Sequence, residues 1–291
     1  MAKPKAWLEQ TAATRNEAIL VSLHSATVAP FAIMPAPTTR RITAALLARD
    51  NEDDIAPCLE SVAWADERLV ILDARSADRT AEIARAMGAR VVSHPFTNFA
   101  QQRNVGLHHA RGDWLFYIDT DERATPALAD EIRRAVADDT RVGWWVPRRN
   151  WIWGHEIHHG GWYPDHQLRL LRLGHAQYDP TRPVHEVVIL DGPDGYLTEP
   201  LLHENYRTLS QYVAKQRHYT DLDAGLLRNR GVRPKPWTYL SQPLREFWRR
   251  YVTLRGYRDG IIGLALCLWT AYYYGLVTTV KLGRLWRPPQ R

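Results

Sequence analysis

Apolar and polar positions first fall into a regular pattern at Ile42. "ITAALLA" (42–48) is an uncharged run, as a strand buried on both faces requires, and "EDDIAPCLESV" (52–62) has the spacing of a short helix. "RLVILD" (68–73) then reads as a strand, "ADRTAEIARAMG" (77–88) as a helix closed by Gly88, and "ARVVSH" (89–94) as a third strand. "FAQQRNVGLHHARG" (99–112) predicts a helix and "DWLFYID" (113–119) a fourth strand. "PALADEIRRAVAD" (126–138) predicts a helix with Pro126 at its start. Strands alternating with helices at this spacing predict an α/β fold, a mostly parallel sheet with helices on both faces.

After about Arg141 the alternation stops. "VGWWVPRRNWIWGHEIHHGGWYPDHQLRLLRL" (142–173) reads as aromatic-rich strands and loops that end in a short strand over 167–173. A helical pattern follows over 209–227, then an amphipathic, basic stretch over 237–258. The next segment, 261–280, holds twenty residues and no charge. At 1.5 Å per residue it would reach about 30 Å, the thickness of a bilayer's hydrocarbon core. Its basic and aromatic flanks favour a membrane segment, spanning or lying in the interface, over a buried core helix. Residues 1–40 carry no signal-peptide pattern and are expected to be a poorly ordered extension. The expected organisation is therefore an α/β domain over 41–205, with halves 41–140 and 141–205, and a basic helical region over 206–291.

Composition sharpens this division. Residues 206–291 hold 16 Lys/Arg against 4 Asp/Glu, so the first 205 residues of a chain with net charge +6 sum to −6. Such asymmetry points the C-terminal region at something anionic. An anionic membrane surface accounts for both the charge and the uncharged segment, whereas nucleic acid accounts for the charge alone. Cys58 and Cys267 lie far apart and match no ligand spacing, which fits a reducing cytosol and not a disulfide framework.

In open parallel sheets ligands bind beyond the carboxyl ends of the strands. Asn51 and Glu52 follow the first strand, Asp73 ends the second, and Asp119, Asp121 and Glu122 come within four positions at the end of the fourth. Three carboxylates so close repel one another unless a positive charge joins them. Hard oxygen donors suit Mg²⁺ or Mn²⁺, which bridges a protein to a diphosphate. Asp73 is placed to accept from a base or ribose hydroxyl, although Ser76 or Asp78 could equally cap the next helix. His155, Glu156 and His159 spell the H-E-x-x-H of zinc proteases, but that chemistry needs them on a helix, and no amphipathic run surrounds them. His203 in "LLHENY" is either a core histidine or a further metal ligand beside Asp119 and Asp121. Glu186 of "VHE" and Asp165 of "WYPDHQLRL" are the candidate general bases.

Taken in order, "ARDNEDDIAPCLESVAWADERLVILDARSADRTAEIA", "NFAQQRNVGLHHARGDWLFYIDTDE", "HHGGWYPDHQLRLL", "VHE" and "HENY" followed by "YVAKQRHYTDLDAG" resemble glycosyltransferase family 2. The nearest branch is similar to bacterial lipopolysaccharide core heptose glucosyltransferases, and the resemblance spans 42 to about 285. It implies a GT-A fold and an inverting transfer of sugar from a nucleotide sugar, a UDP-sugar first of all. The acceptor would be a lipopolysaccharide core or another lipid-linked saccharide, at the cytoplasmic face of the bacterial inner membrane. By the same resemblance Asn51, Glu52, Asp73, Gln102, Asn104, Asp119 and Lys215 would bind the donor, and Asp119 and Asp121 the metal. Glu186 would be the catalytic base, with Asp165 in reserve. The sequence departs from the family at Arg75 and Arg79, where small residues are usual. Polyprenyl phosphate as acceptor, or nucleotide-sugar binding without catalysis, are the alternatives.

Overall fold

The computed structural model describes residues 40–180 and 187–286, so the extension expected over 1–40 lies outside it apart from Arg40, as do His185 and Glu186. Within the first half the elements run β1 (Ile42–Ala48), α1 (Ile55–Ser61), β2 (Glu67–Asp73), α2 (Thr80–Ala86), β3 (Arg90–His94), α3 (Phe99–His109), β4 (Trp114–Tyr117), β5 (Glu122–Ala124) and α4 (Pro126–Ala135). The first four strands pair in parallel in the order β3-β2-β1-β4. Their apolar runs are buried on both faces because a strand sends alternate side chains to opposite sides. Ala44, Leu46, Val70, Leu72 and Phe116 pack with Ile55, Leu59, Leu128 and Ile132 of α1 and α4. Ala45, Leu69, Ile71, Leu115 and Tyr117 pack on the other face with Ala100 of α3.

The second half adds β6 (Gly143–Ile152), β7 (His155–Ile157), β8 (Asp165–Arg172), β9 (Ala176–Tyr178), β10 (Val188–Leu190), β11 (Asp194–Tyr196) and β12 (Leu201–Tyr206). β8 runs antiparallel to β4 and β6 and so extends the sheet, while β12 lies between β6 and β5. The strand expected over 167–173 thus begins two residues earlier, with Asp165 inside it. The parallel-dominated sheet with helices on both faces is the GT-A arrangement that the resemblance implies. β5 was not expected; three residues are too few to show a period. It pairs Glu122 with His203 of β12 and so brings the far strand to the acidic turn.

After β12 comes α5 (Leu209–Asn229), opened by a capping box in which Thr208 and Gln211 satisfy each other's backbone. α6 (Thr238–Trp248) continues into a π-helical turn at Arg249–Thr253 and a 3₁₀ turn at Gly256–Asp259. α7 (Gly260–Thr270) then leads through a second π-helical stretch, Ala271–Val277, into α8 (Thr278–Leu285). The 30-residue run Gly256–Leu285 is long and apolar enough to cross a membrane by length and composition. It also packs against the two preceding helices. A Cβ at Gly275 would lie 2.4 Å from the Pro243 backbone, so only glycine permits that crossing. The Thr270 hydroxyl meets Tyr212 of α5 at 3.2 Å, and Lys281 reaches Asp221 at 2.7 Å.

Candidate active site

Three arginines answer the acidic turn. The chain leaves β4 and closes tightly: Asp119 N–H donates to the Glu122 carboxylate and Glu122 N–H to the Asp119 carbonyl, both at 2.9 Å. Glu122 is fully buried and takes hydrogen bonds from Arg169 of β8 at 2.8 Å and Arg148 of β6 at 3.3 Å. Arg169 also holds both oxygens of Asp119, and Arg103 of α3 reaches one of them at 3.3 Å. Arg148 continues to Asp165, where its Nε donates at 2.9 Å. Three carboxylates therefore interlock with three guanidinium groups. Burial raises the Asp119 pKa, but Arg169 and Arg103 outweigh it and hold the carboxyl below its ordinary range. The reading of all three turn acids as awaiting a metal is corrected at Glu122, whose counter-charges are built in.

Asp121 is placed differently. Its Oδ2 faces Nε2 of His203 at 3.5 Å. His203 is buried, with Nδ1 2.7 Å from Oδ1 of Asn150, and Nδ2 of Asn150 donates to the Trp162 carbonyl at 2.7 Å. A carbonyl can only accept, so Trp162 fixes the amide of Asn150, and that amide's oxygen fixes the hydrogen of His203 on Nδ1. In the neutral ring Nε2 then presents a lone pair to a carboxylate. Two acceptors in this position repel unless a proton on Nε2 or a metal ion joins them. Mg²⁺ ordinarily takes one or two protein carboxylates and completes its shell with water and phosphate oxygens, so Asp121, with His203 beside it, would supply the protein's side of such a site. Asp121 and His203 fit such an ion. Asp119 joins it only by releasing a guanidinium, and among the described residues no group of three or more His, Cys, Asp or Glu could hold a metal. Burial raises the Asp121 pKa, but His203, when its ring carries a second proton and donates from Nε2, and the charge of Lys215 together hold the carboxyl below its ordinary range.

The expected donor-binding residues fall into two groups. Asn51 and Glu52 lace the loop after β1 to the one after β2: Asn51 N–H donates to Thr80 at 2.7 Å, Glu52 N–H to Asp78 at 2.9 Å, and Arg79 N–H to Glu52 at 3.1 Å. Asp73, buried at the end of β2, is gripped by Arg75 through Nη2 at 2.7 Å, Nε and the backbone N–H. That grip lowers its pKa to about 2. Gln102 and Asn104 face inward. Gln102 Oε1 lies 3.0 Å from Nδ1 of His94, and Asn104 bonds both N–H and C=O of Tyr178 at 2.9 Å, so both amides fasten α3 to the strands. Lys215 stands on α5 with its ammonium 5.1 Å from the Tyr206 ring centre, and its charge helps lower the Asp121 pKa.

Beside these residues opens a cavity of 230 Å³ lined by Trp162, Asp165, Tyr206, Gln216, Arg250 and Tyr274, among others. Asp165 stands at its wall with one oxygen on Arg148 and the other on Gln167 at 2.8 Å. Burial raises the Asp165 pKa, yet Arg148 lowers it further. His155 and His159 do not share a helical face: His155 opens strand β7, and His159 binds Asp259 at 2.9 Å. The arginines were missed in the sequence. Their signal was there, in Arg169 standing between two leucines of β8 and Arg148 following the apolar run WWVP of β6.

The profile of glycosyl transferase family 2 matches residues 44–192, and the chain belongs to that family. It is therefore a glycosyltransferase with a GT-A fold. It is 28% identical over 253 residues to the lipopolysaccharide core biosynthesis glycosyltransferase LpsC of Rhizobium meliloti, covering 83% of this chain and 91% of the relative. An uncharacterized glycosyltransferase of Rickettsia conorii is 30% identical over 239 residues, covering 77% and 84%. Among solved structures, a Pyrobaculum calidifontis mannosyltransferase in complex with GDP-Man and Mn²⁺ superimposes with a TM-score of 0.49 at 18% identity, covering 88% of this chain and 90% of that one.

Proposed function

We propose that this chain is an inverting glycosyltransferase that moves a sugar from a nucleoside diphosphate, UDP first of all, to a lipopolysaccharide core or other lipid-linked saccharide. The observation that carries the reading is the facing pair of Asp121, in the turn after β4, and His203 of β12, near the cavity that Asp165 lines. Asp121, His203 and, after release from Arg169, Asp119 would hold a divalent cation. That ion would neutralise the departing diphosphate. Lys215 adds a fixed positive charge on the same side. Asn51, Glu52 and Asp73 form the donor's nucleotide side, with Gln102 and Asn104 holding α3 in place behind it.

The base is Glu186, which by resemblance deprotonates the acceptor hydroxyl opposite the leaving group. The state of Asp165 supports this choice, because a carboxylate paired with Arg148 and lowered in pKa is a weak proton acceptor. The likeness to LpsC over most of both chains supports the lipopolysaccharide acceptor. Such an acceptor, together with a cytosolic donor, sets the enzyme at the cytoplasmic face of the inner membrane. The test is a screen of nucleotide sugars with purified protein and membrane extract, in Mg²⁺ or Mn²⁺, reading nucleoside diphosphate release. Acceptor-dependent release with one donor is expected. A folded protein that releases none from any donor refutes the reading.

A further inference from the structure

We infer that the outer face of α6 is the seat of this protein on an anionic lipid bilayer, with the helix lying in the plane of the interface. Trp237, Leu240, Leu244 and Trp248 are 65%, 68%, 59% and 64% exposed. At 100° per residue these four fall within an arc of about 80°. The opposite side of the same helix is occupied: Pro243 meets Gly275, and Tyr239 meets Gly283. Four large apolar side chains in a row on a helix already packed on its other face form a patch that a monomer in water does not keep without a use.

The charge beside the patch selects its occupant. Residues 228–258 contain nine Lys/Arg and one acid, Glu246, which Arg249 and Arg250 already engage. Lys235, Arg245 and Arg249 are exposed next to the stripe. An apolar stripe bordered by cations, with tryptophan at both ends, matches a headgroup region over acyl chains, since indole rings favour that boundary. A second copy of this chain would set nine like charges against nine.

The location deepens the proposed lipid-linked acceptor, on which its purpose rests. Arg250, two residues beyond Trp248, lines the cavity that holds Asp165 and donates to the Gly160 carbonyl at 2.9 Å. A bilayer under α6 therefore lies along the same short segment that walls the cavity. A saccharide rising from a lipid reaches it without leaving the membrane surface.

The experiment is flotation of purified full-length protein with phosphatidylcholine vesicles, with and without phosphatidylglycerol, alongside the double variant Leu240→Asp/Leu244→Asp. Wild type should float with the anionic vesicles, and the variant should bind them at least about tenfold more weakly. Circular dichroism and calorimetric binding of the donor should be unchanged. Neither readout involves sugar transfer, so failure of this surface is separable from failure of the transferase reading. Equal flotation of the variant overturns the inference. So does wild type that resists alkaline carbonate extraction from cell membranes, which would mean a spanning Gly256–Leu285 run. A dimer in ultracentrifugation that the double variant abolishes, without vesicle binding, would assign the stripe to a second copy.

Discussion

Arg75 lies across Asp73, its Nη2 2.7 Å from Oδ2 and its Nε within reach of both carboxylate oxygens. The carboxylate expected to meet a base or ribose hydroxyl is thus already engaged by a side chain two residues away. Arg75 is half exposed, so solvent screens the pair and the guanidinium can leave at modest cost. Binding should nevertheless require that departure. We predict that Arg75→Ser tightens donor affinity several-fold in titration calorimetry, whereas Asp73→Asn weakens it. An Arg75→Ser protein that binds donor more weakly would mean that Arg75 contacts the nucleotide itself.

The same pair sets part of the acid response. Asp73 has its pKa lowered from 3.8 to about 2, chiefly by Arg75. A depressed folded-state value means that the unfolded chain binds the proton more readily. The associated stability is therefore present above pH 3.8 and is lost as pH falls from 3.8 towards 2. Arg75→Ser should raise the midpoint of acid unfolding, followed by tryptophan fluorescence. An unchanged midpoint would show that the pair contributes nothing to folding.

Asn150 never reaches the cation in this reading, yet it decides which nitrogen of His203 is free. Outer partners of this kind are worth about 10–100-fold in metal affinity. Asn150→Ala should lower Mn²⁺ affinity on that scale, measured by electron paramagnetic resonance, and Asp121→Ala should abolish both ion binding and transfer while the fold survives. Full activity of folded Asp121→Ala in chelator would sink the metal reading.

Arg169 is buried against two carboxylates. Removing one partner of a buried pair leaves an uncompensated charge, which costs about 3–5 kcal/mol. Arg169→Leu should lose stability on that scale in urea titration, and adding Glu122→Gln should restore part of it. A loss under about 1 kcal/mol would show that the network is solvated.

Glu186→Gln should cut turnover by about 10²-fold or more while donor binding persists, the scale of lost general-base catalysis. Asp165→Asn should act mainly through Arg148, with a smaller effect. Near wild-type turnover in Glu186→Gln beside a dead Asp165→Asn would reverse the assignment.

The parallel half of the sheet was legible because buried strands are written locally, as runs such as 42–48 and 113–119. The turn that ends β4 was legible as a cluster of acids. Its counter-charges were not, because Arg148 and Arg169 come from strands 26 and 47 residues beyond Glu122. Their pairing with the turn depends on the order β4-β8-β6-β12, and no local period encodes a long-range register. Arg75 stood out as a departure from the family, but its grip on Asp73 is a matter of rotamer. The basic, amphipathic character of 237–258 was readable, whereas the side of α6 left uncovered depends on where Gly275 and Gly283 allow the last helices to pack.

The cavity beside Asp165 takes Trp162 from one side of residue 205 and Gln216, Arg250 and Tyr274 from the other. The boundary suggested by the change in composition therefore runs through the wall of this cavity. Chimeras that graft another member's tail onto this sheet should change which acceptor is used along with where the enzyme resides. Within such a family, acceptor preference and membrane address would be inherited together, because the same stretch of chain walls the cavity and carries the exposed face of α6.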